Sequence, residues 1–372
     1  MEIVEVNSAK NKYSVCVANG FDDIITALSS AGLTRRRTVV VSDDIVAPLY
    51  LSGVRERIAS VSEYYAEIII KAGESAKSFS TLEAIYNFMI DNRLQRDSIV
   101  VALGGSVVSD VTGFAAATYM RGIPCVALPT TLLSMCDGSI GGKTGVDIGS
   151  HKNVVGAFSS PALVYSNVDT LQTLPRREFA SGMAEAVKHA FIRDASYMEW
   201  IRANLCGIRE KDAVTLERLV TRSCEIKAGV VAQDEFECKE IREILNFGHT
   251  FGHAIEGLSE YKLRHGECVS IGMAAALGLS HRLGFIESAE ARSSLELMEA
   301  LELPTHISSS DFTQSQVYDL MLSDKKVLGG KLRLVLLTRI GEPLIYTPTR
   351  GEVLLGLSMI MKTGDMYGMG KQ

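Results

Sequence analysis

Three of the chain's seven histidines fall within residues 249–265. His249 and His253 are four residues apart, so on a helix both imidazoles would lie on one face. His265 follows twelve residues later, and Glu185 lies upstream, three residues before Lys188. A catalytic zinc-type site usually has three protein ligands, such as imidazoles and a carboxylate, and leaves one coordination position of the ion open. These residues therefore predict a divalent-metal site, although the spacing leaves open which two histidines bind the ion.

The histidine spacing differs from that of the familiar helical zinc motif. Zinc proteases carry H-E-x-x-H, in which a general-base glutamate follows the first histidine. Here Thr250 follows His249, so that base is missing from the motif. A pair of hydrogen-bonded core histidines is the alternative interpretation. The third histidine and the upstream carboxylate favour a metal site.

Two glycine-rich segments suggest contact with phosphate groups. Gly104-Gly105-Ser106 lies between an apolar run and a helical pattern, where small residues let the backbone approach a phosphate at a helix N-terminus. The segment is not G-x-G-x-x-G, so a tight structural turn explains it equally well. The second segment, 129–145, combines glycines with Asp137 and Lys143. A generic surface loop would not ordinarily combine this density of glycines with an apolar flank.

Composition narrows the class of protein. The chain has 372 residues, 47% of them hydrophobic, and a formal net charge of -6, which argues against a nucleic-acid-binding protein. No apolar run is long enough to span a membrane. The start of the sequence lacks a basic region followed by an apolar core, so we expect no signal peptide. Seven scattered cysteines without a C-x-x-C pair predict a reduced, cytoplasmic protein.

The elements that would position these residues change in kind along the chain. Short β-branched runs at 38–41, 67–70, 98–102 and 125–128 alternate with helical patterns, which predicts a mostly parallel α/β sheet. Beyond about residue 175 the segments 177–195, 213–232, 240–258, 266–283 and 288–301 have helical periodicity. A late apolar run, 332–338, followed by Gly341, predicts a strand or hairpin. We therefore expect an α/β domain over 1–175 and a helical domain over 176–372.

Short motifs along the chain occur in an order found in one family. They are Gly-Gly-x-Val-Val-x-Asp at 104–110, Ala-Ala-Thr-Tyr-Met-Arg-Gly at 116–122, Pro-Thr-Thr-Leu-Leu at 129–133, Gly-Gly-Lys-Thr at 141–144, Lys-Asn at 152–153, Ser-Gly-Met-Ala-Glu at 181–185 and Asn-Phe-Gly-His at 246–249. With these motifs the chain resembles the 3-dehydroquinate synthases, members of the sugar-phosphate cyclases, over nearly its full length. The match is densest between about residues 97 and 272.

The resemblance implies a dehydroquinate-synthase-like fold. An N-terminal α/β domain would bind NAD, and a C-terminal helical domain would bind the substrate and one divalent metal ion, zinc or cobalt. By the same resemblance the metal ligands are Glu185, His249 and His265. His253 would then handle a proton and contact phosphate instead of binding the ion.

The resemblance also implies site residues. The substrate, a sugar phosphate, would contact Arg121, Asp137, Lys143, Asn153, Lys188, Lys227, Arg242, Asn246, Lys325 and Lys326. NAD would contact Asp43, Glu74, Lys77, Gly104, Gly105, Ser106, Val107, Asp110, Thr130, Thr131, Leu133, Asp137, Lys143, Lys152, Thr170, Leu171, Gln172 and Thr173. Catalytic roles would fall to Lys143, Lys188, Arg242, Asn246 and His253. The protein would be a homodimer in which Arg121 reaches the neighbouring active site.

The activity implied is a step of the shikimate pathway, which leads to chorismate and the aromatic amino acids. The enzyme would convert 3-deoxy-D-arabino-heptulosonate 7-phosphate into 3-dehydroquinate and phosphate. Transient oxidation by NAD, elimination, reduction and aldol closure would follow in turn. The alternatives are a sibling cyclase, such as an aminodehydroquinate synthase, a metal-dependent polyol dehydrogenase that releases NADH, and a non-catalytic module.

Some positions depart from the family pattern or allow a plain structural role. Ser106 stands where a third glycine is common, Ile45 where Asn is frequent, and Phe236 where Arg is frequent. None is among the implied metal ligands. Asp43, at the end of a predicted strand, would either accept a hydrogen bond from a ribose hydroxyl or cap the next helix.

Overall fold

The computed structural model describes residues 1–7, 12–149, 151–260, 262–308, 312–323 and 332–362. Two compact units divide the chain. The first contains Met1–Pro175 and Lys211–Cys238, and the second contains Arg176–Glu210 and Lys239–Gln372. The predicted domain division at residue 175 stays a prediction. Residues 211–238 belong to the C-terminal half of the sequence but pack with the first unit.

The strands lie mainly in the first unit. They are β1 Glu2–Asn7, β2 Lys12–Ala18, β3 Arg37–Asp43, β4 Tyr64–Ile70, β5 Ile99–Gly104, β6 Cys125–Pro129, β7 Lys143–Ile148, β8 His151–Phe158, β9 Leu163–Asn167, β10 Ile307–Ser308, β11 Leu334–Arg339, β12 Glu342–Tyr346 and β13 Met361–Lys362. Within the described residues, seven strands form one sheet in the order β1-β2-β9-β6-β5-β3-β4. All its neighbours are parallel except β1 and β2, so the predicted mostly parallel sheet is confirmed.

The helices are α1 Ile24–Ser30, α2 Ala47–Val61, α3 Phe79–Asp91, α4 Ser106–Thr118, α5 Arg176–Arg193, α6 Ala195–Ala203, α7 Leu205–Arg209, α8 Ala213–Gln233, α9 His249–Leu258, α10 His265–Arg282, α11 Ser288–Ala300, α12 Gln314–Ser323 and α13 Arg350–Ile360. Side-chain caps fix several starts. Ser78 accepts from the Thr81 amide before α3, and Asp212 accepts from the Thr215 amide before α8. None of these described helices is long and apolar enough to cross a membrane.

The core of the first unit covers both faces of the sheet. Because side chains alternate along a strand, Val39 and Val41 pack with α3 and α4, whereas Val40 packs with α1 and α2. Both faces of β3 are therefore apolar, which is the pattern of a parallel strand inside an α/β layer. The carboxyl ends of β3, β5 and β6 carry the polar residues that matter below.

The second unit is built around α10, which is buried along nearly its whole length. The helices α5, α9, α11 and α13 pack against it. A Cβ at Gly252 would lie 2.8 Å from the carbonyl oxygen of Cys268, so this glycine lets α9 approach α10 closely. The strand predicted at 332–338 is present as β11, and Gly341, with φ +92°, makes the turn into β12.

Candidate active site

Three helices of the second unit bring a carboxylate and two imidazoles together. Glu185 lies in α5, while His249 and His265 are the first residues of α9 and α10. The Glu185 Oε1 atom is 3.5 Å from His249 Nε2 and 3.7 Å from His265 Nε2. One ligand atom from each of the three residues lies within 4.8 Å of the others. The cluster has the ligand types of a catalytic zinc-type centre.

Local packing fixes where these helices begin. The Gly266 amide donates to Ser181 Oγ at 3.0 Å, which ties the first turn of α10 to α5. Gly248 precedes α9 with φ +78°, and a Cβ there would lie 2.7 Å from the backbone of Met273 and Val269. Only glycine suits such a position, because it combines a left-handed backbone with a close approach.

The two imidazoles are oriented by their second ring nitrogen. His249 Nδ1 lies 3.2 Å from the Phe247 carbonyl oxygen, and His265 Nδ1 lies 3.2 Å from Glu256 Oε2. If each Nδ1 carries the hydrogen when the ring is neutral, the lone pair of each Nε2 on the Glu185 side is available to a metal ion. Two such nitrogens and one carboxylate oxygen fit a divalent ion that accepts nitrogen and oxygen ligands, so the residues present are compatible with zinc or cobalt.

A second candidate cluster overlaps the first. His253, Glu256 and His265 also offer ligand atoms within 4.8 Å of one another. The His253 ring centroid lies 5.3 Å from that of His249 and 5.8 Å from that of His265. Among the described residues, no candidate cluster contains both His249 and His253. The geometry therefore does not favour the plain i, i+4 pair as the ligand set.

Buried charge surrounds the first cluster. Lys188, 1% exposed, forms an ion pair with the fully buried carboxylate of Glu185 one turn earlier in α5. Removing one partner of a buried pair is strongly destabilising, so the two depend on each other. Burial lowers the pKa of His265, but Glu185 and Glu256 outweigh it and raise the pKa of this imidazole to about 9. A metal ion binding there would displace that proton.

Two further predicted residues precede α9. Arg242, which is buried, and Asn246 lie at the two ends of the short 3₁₀ helix Arg242–Asn246. Lys325 and Lys326 lie outside the described residues.

A candidate cradle for phosphate lies at the end of β5 in the first unit. Gly104 ends the strand, Gly105 precedes α4, and Ser106 and Val107 open that helix, where first-turn amides have no partner within the helix itself. The Thr130 amide donates to the Gly104 carbonyl at 3.0 Å, so the end of β6 lies alongside. A Cβ at Gly105 would be 3.2 Å from the Thr131 side chain. The cradle is therefore walled by backbone and small side chains.

Orphaned hydroxyls at this end of the sheet support a polar ligand. The hydroxyls of Ser109 and Thr130 are buried and have no hydrogen-bond partner among the residues that the structure describes. Buried hydroxyls are normally satisfied, so unsatisfied ones need an explanation. The open helix terminus and these two groups suit the phosphates and hydroxyls of a dinucleotide.

Charged residues flank the cradle. Lys77 Nζ lies 2.6 Å from Asp110 Oδ2, and Lys152 Nζ lies 3.4 Å from Glu74 Oε1. Burial raises the pKa of Asp110, Lys77 opposes that effect, and the result is a pKa of about 6. The predicted cofactor residues Glu74, Lys77, Asp110 and Lys152 thus form two neighbouring ion pairs.

Asp43 stabilises the turn at the end of β3, but it is not the N-cap of α2, which is Val46. Its Oδ1 accepts from the amides of Ile45 at 2.9 Å and Val46 at 2.8 Å, just before α2. Tyr50 of α2 donates to the Thr170 carbonyl at 3.1 Å and also bonds Thr173. The segment Thr170–Thr173, with Leu171 and Gln172, therefore lies beside α2.

Among the predicted substrate residues of the first unit, Asp137 lies in the π-helical turn Ser134–Gly138, which Leu133 precedes. Lys227 of α8 forms a 2.7 Å ion pair with Asp137 Oδ1. Lys143, at the start of β7, pairs with Glu237. Asn153, with φ +52°, lies in β8, and its amide donates to Asp147 Oδ1 at 2.7 Å. Arg121 ends the 3₁₀ turn after α4 with φ +71° and is exposed.

Two residues with evident roles in the geometry were not singled out by sequence reasoning. Glu256 bonds His265, and Glu237 bonds Lys143. For Glu256 the helical period gives a signal, because it lies three residues after His253 and seven after His249. For Glu237 no such signal exists, since it lies in an irregular segment 94 residues from Lys143.

The chain matches models of known proteins along most of its length. Residues 67–181 match the 3-dehydroquinate synthase N-terminal model, and residues 182–327 match the 3-dehydroquinate synthase C-terminal model. It is 42% identical to a 3-dehydroquinate synthase of Symbiobacterium thermophilum over 91% of this chain and 94% of the relative. It is 40% identical to a 3-dehydroquinate synthase of Ruminiclostridium cellulolyticum over 95% and 98%.

A solved structure also resembles the whole chain. It is the 2-epi-5-epi-valiolone synthase of Streptomyces hygroscopicus subsp. jinggangensis with NAD+ and Zn2+ bound, at 27% identity and a TM-score of 0.85. The similarity covers 97% of this chain and 98% of that one. The glycine cradle and the Glu-His-His cluster accordingly lie in a chain that belongs to the 3-dehydroquinate synthase family.

Proposed function

We propose that this protein is a 3-dehydroquinate synthase, which converts 3-deoxy-D-arabino-heptulosonate 7-phosphate into 3-dehydroquinate and phosphate. The observation that carries the proposal is the convergence of Glu185, His249 and His265 beside a buried lysine. Relatives at about 40% identity over most of the chain bear that name. The enzyme would act in the shikimate pathway.

NAD and one divalent ion, zinc or cobalt, are the proposed cofactors. When bound, the ion would supply Lewis acidity to a substrate hydroxyl, and NAD would supply a hydride acceptor that returns the hydride within one turnover. Glu185, His249 and His265 would hold the ion. The opening of α4, from Gly104 to Val107, and Thr130 and Thr131 would hold the dinucleotide phosphates.

The chain's cations would bind and orient the anionic substrate. Lys143, Lys188, Lys227 and Arg242 are the proposed partners of its carboxylate and phosphate, with Asp137, Asn153 and Asn246 as neutral or acidic contacts. Fixed charge of this kind is usually the largest catalytic contribution, because it is already oriented before the reaction. His253, whose ring lies beside those of His249 and His265, is the proposed proton carrier.

Two further features belong to the proposal. We place Arg121 at a homodimer interface, where its guanidinium would reach the partner's phosphate site; its exposure and left-handed backbone are compatible with an outward role. We also propose a cytoplasmic location. The seven cysteines are scattered and include no C-x-x-C pair, as expected in a reducing compartment.

A sibling cyclase is the second candidate, because the structural relative is a valiolone synthase. Asn246 before Phe-Gly-His and the retained His253 favour the dehydroquinate reaction. A polyol dehydrogenase would instead release NADH.

Product analysis separates these functions. Purified protein with the heptulosonate phosphate, NAD and Zn2+ or Co2+ should form phosphate and 3-dehydroquinate one for one, without net NADH at 340 nm. Steady NADH formation with a polyol, and no phosphate release, would contradict the proposal.

A further inference from the structure

Glu256 is a buried carboxylate with no role in the function proposed above. It lies in α9 and is 8% exposed, and its helical neighbours Ala254 and Ile255 are buried and apolar. Burying an ionised carboxylate costs free energy unless a charged or hydrogen-bonded partner compensates. The structure provides such a partner in the imidazole of His265, whose Nδ1 is 3.2 Å from Glu256 Oε2.

His265 therefore lies between two carboxylates. Its Nε2 faces Glu185 Oε1 at 3.7 Å, and its Nδ1 faces Glu256 Oε2 at 3.2 Å. If Nδ1 carries the hydrogen and donates it to Glu256, the lone pair of Nε2 faces the Glu185 side. Such a hydrogen bond also makes the imidazole a stronger donor to a metal ion.

The other imidazole of the cluster is oriented differently. His249 Nδ1 bonds the neutral carbonyl oxygen of Phe247, in the turn that Gly248 forces on the backbone. That contact is made within three consecutive residues and involves no charge. The contact of His265 joins α10 to α9 and is made to a carboxylate, so removing the side chain of Glu256 would remove it.

We infer that Glu256 is a positioning residue, which fixes the ring of His265 and strengthens its bond to the metal ion without binding the ion itself. The inference rests on the metal centre of the proposed function. It also excludes the overlapping cluster of His253, Glu256 and His265 as the ligand set, since Glu256 would then be a direct ligand.

The test measures metal binding by the full chain, independently of turnover. Glu256→Ala removes the acceptor, and Glu256→Gln keeps an acceptor oxygen without the charge. Competition with a chromophoric chelator should show Zn2+ affinity reduced about 10- to 100-fold for Glu256→Ala, and less for Glu256→Gln. At saturating metal both variants should still hold one ion per chain, and their Co2+ absorption bands should differ from those of the unmodified protein.

The control is Glu352→Gln, a glutamate of the same unit that bonds Tyr346 and caps α13. It removes the same charge, but Glu352 belongs to no candidate metal cluster of the described residues, so the Zn2+ affinity and Co2+ spectrum of this variant should not change even if its thermal stability falls. A purely structural role for Glu256 would lower the melting temperature of the metal-free protein and leave both readouts unchanged, which would overturn the inference.

Two more outcomes are decisive. Loss of stoichiometric metal in both Glu256→Ala and His253→Ala, with retention in Glu185→Gln, would make Glu256 a ligand and overturn the inference. An unmodified protein that binds no divalent ion would instead overturn the metal centre of the proposed function. A graded affinity loss at constant stoichiometry supports the inference.

Discussion

The two candidate sites are built in opposite ways. In the second unit, the helices α5, α9 and α10 each contribute one polar side chain to the Glu185, His249 and His265 cluster. In the first unit, the cradle at 104–107 is a continuous turn made chiefly of backbone amides and small residues. A binding site made of side chains should lose its ligand when one of those side chains is removed. A binding site made of backbone amides should lose its ligand only when an added side chain blocks the approach.

The largest expected effect comes from Glu185→Gln. The change removes a proposed metal ligand and the carboxylate that pairs with the buried Lys188. Breaking a buried ion pair costs about 3–5 kcal/mol, because a charge is left without its partner. Atomic absorption should find no bound metal, and urea unfolding should show the corresponding loss. Retained metal at full stability would contradict the side-chain account of this site.

The next effect concerns Arg121, which the proposal assigns to the partner's site. Arg121→Ala should lower kcat/KM. The corresponding loss of transition-state stabilisation should be about 2–5 kcal/mol for a charged contact buried in the dimer. Mixing this variant with Glu185→Gln protomers should restore activity, because the Arg121→Ala subunit keeps its metal ligands and receives the other subunit's arginine. Verified mixed dimers without activity would place Arg121 in its own subunit's site or in none.

Asp110 should give a smaller, pH-dependent effect. Its folded pKa of about 6 exceeds the unfolded value of about 3.9, so the folded state holds a proton that the unfolded state has lost between these values. Stability should therefore fall as pH rises from about 4 to 6, by at most about 3 kcal/mol. Burial dominates the shift, with Lys77 opposing and Glu74 and Asp147 reinforcing it.

The corresponding measurement is urea unfolding of the protein and of Asp110→Asn between pH 4 and 7. The difference between the two free energies of unfolding should change from about pH 4 to about pH 6 and stay constant from there to pH 7. A flat difference throughout would show that Asp110 does not titrate near pH 6.

The smallest effect should come from crowding the cradle. Gly105 has an extended backbone that alanine also adopts, but its Cβ would lie 3.2 Å from the Thr131 side chain. Gly105→Ala should fold and weaken NAD binding about three- to tenfold, or about 1 kcal/mol. Gly53→Ala in α2 is the control, because its Cβ meets nothing closer than 3.9 Å. Equal NAD affinities in isothermal titration would contradict a close-approach cradle.

The sequence predicted the parts of the fold that depend on local pattern. The runs at 38–41, 98–102 and 125–128 are β-branched and apolar, and they correspond to β3, β5 and β6. The β7–β8 hairpin was not predicted, because its residues are polar and glycine-rich and half exposed. The packing of α8 with the first unit also escaped prediction, since helical periodicity gives no information about which unit a helix joins.

The candidate site shows the same limit. Spacing indicated a metal site but left the pair of histidines open, because His249 and His253 share a helix face whereas the approach of His265 depends on α10. Glu256 was missed because its partner, His265, belongs to a different helix, α10. The helical period places Glu256 on the same face as His249 and His253, but it cannot report the contact with His265, which exists only after α9 and α10 pack.

The most direct test of the central claim compares the metal content of His265→Ala and His253→Ala. If Glu185, His249 and His265 are the ligands, His265→Ala should lose both metal and activity. His253→Ala should keep close to one ion per chain and lose about 100- to 10,000-fold in turnover, which is the usual contribution of proton transfer. Metal lost from His253→Ala and kept by His265→Ala would contradict the proposed ligand set.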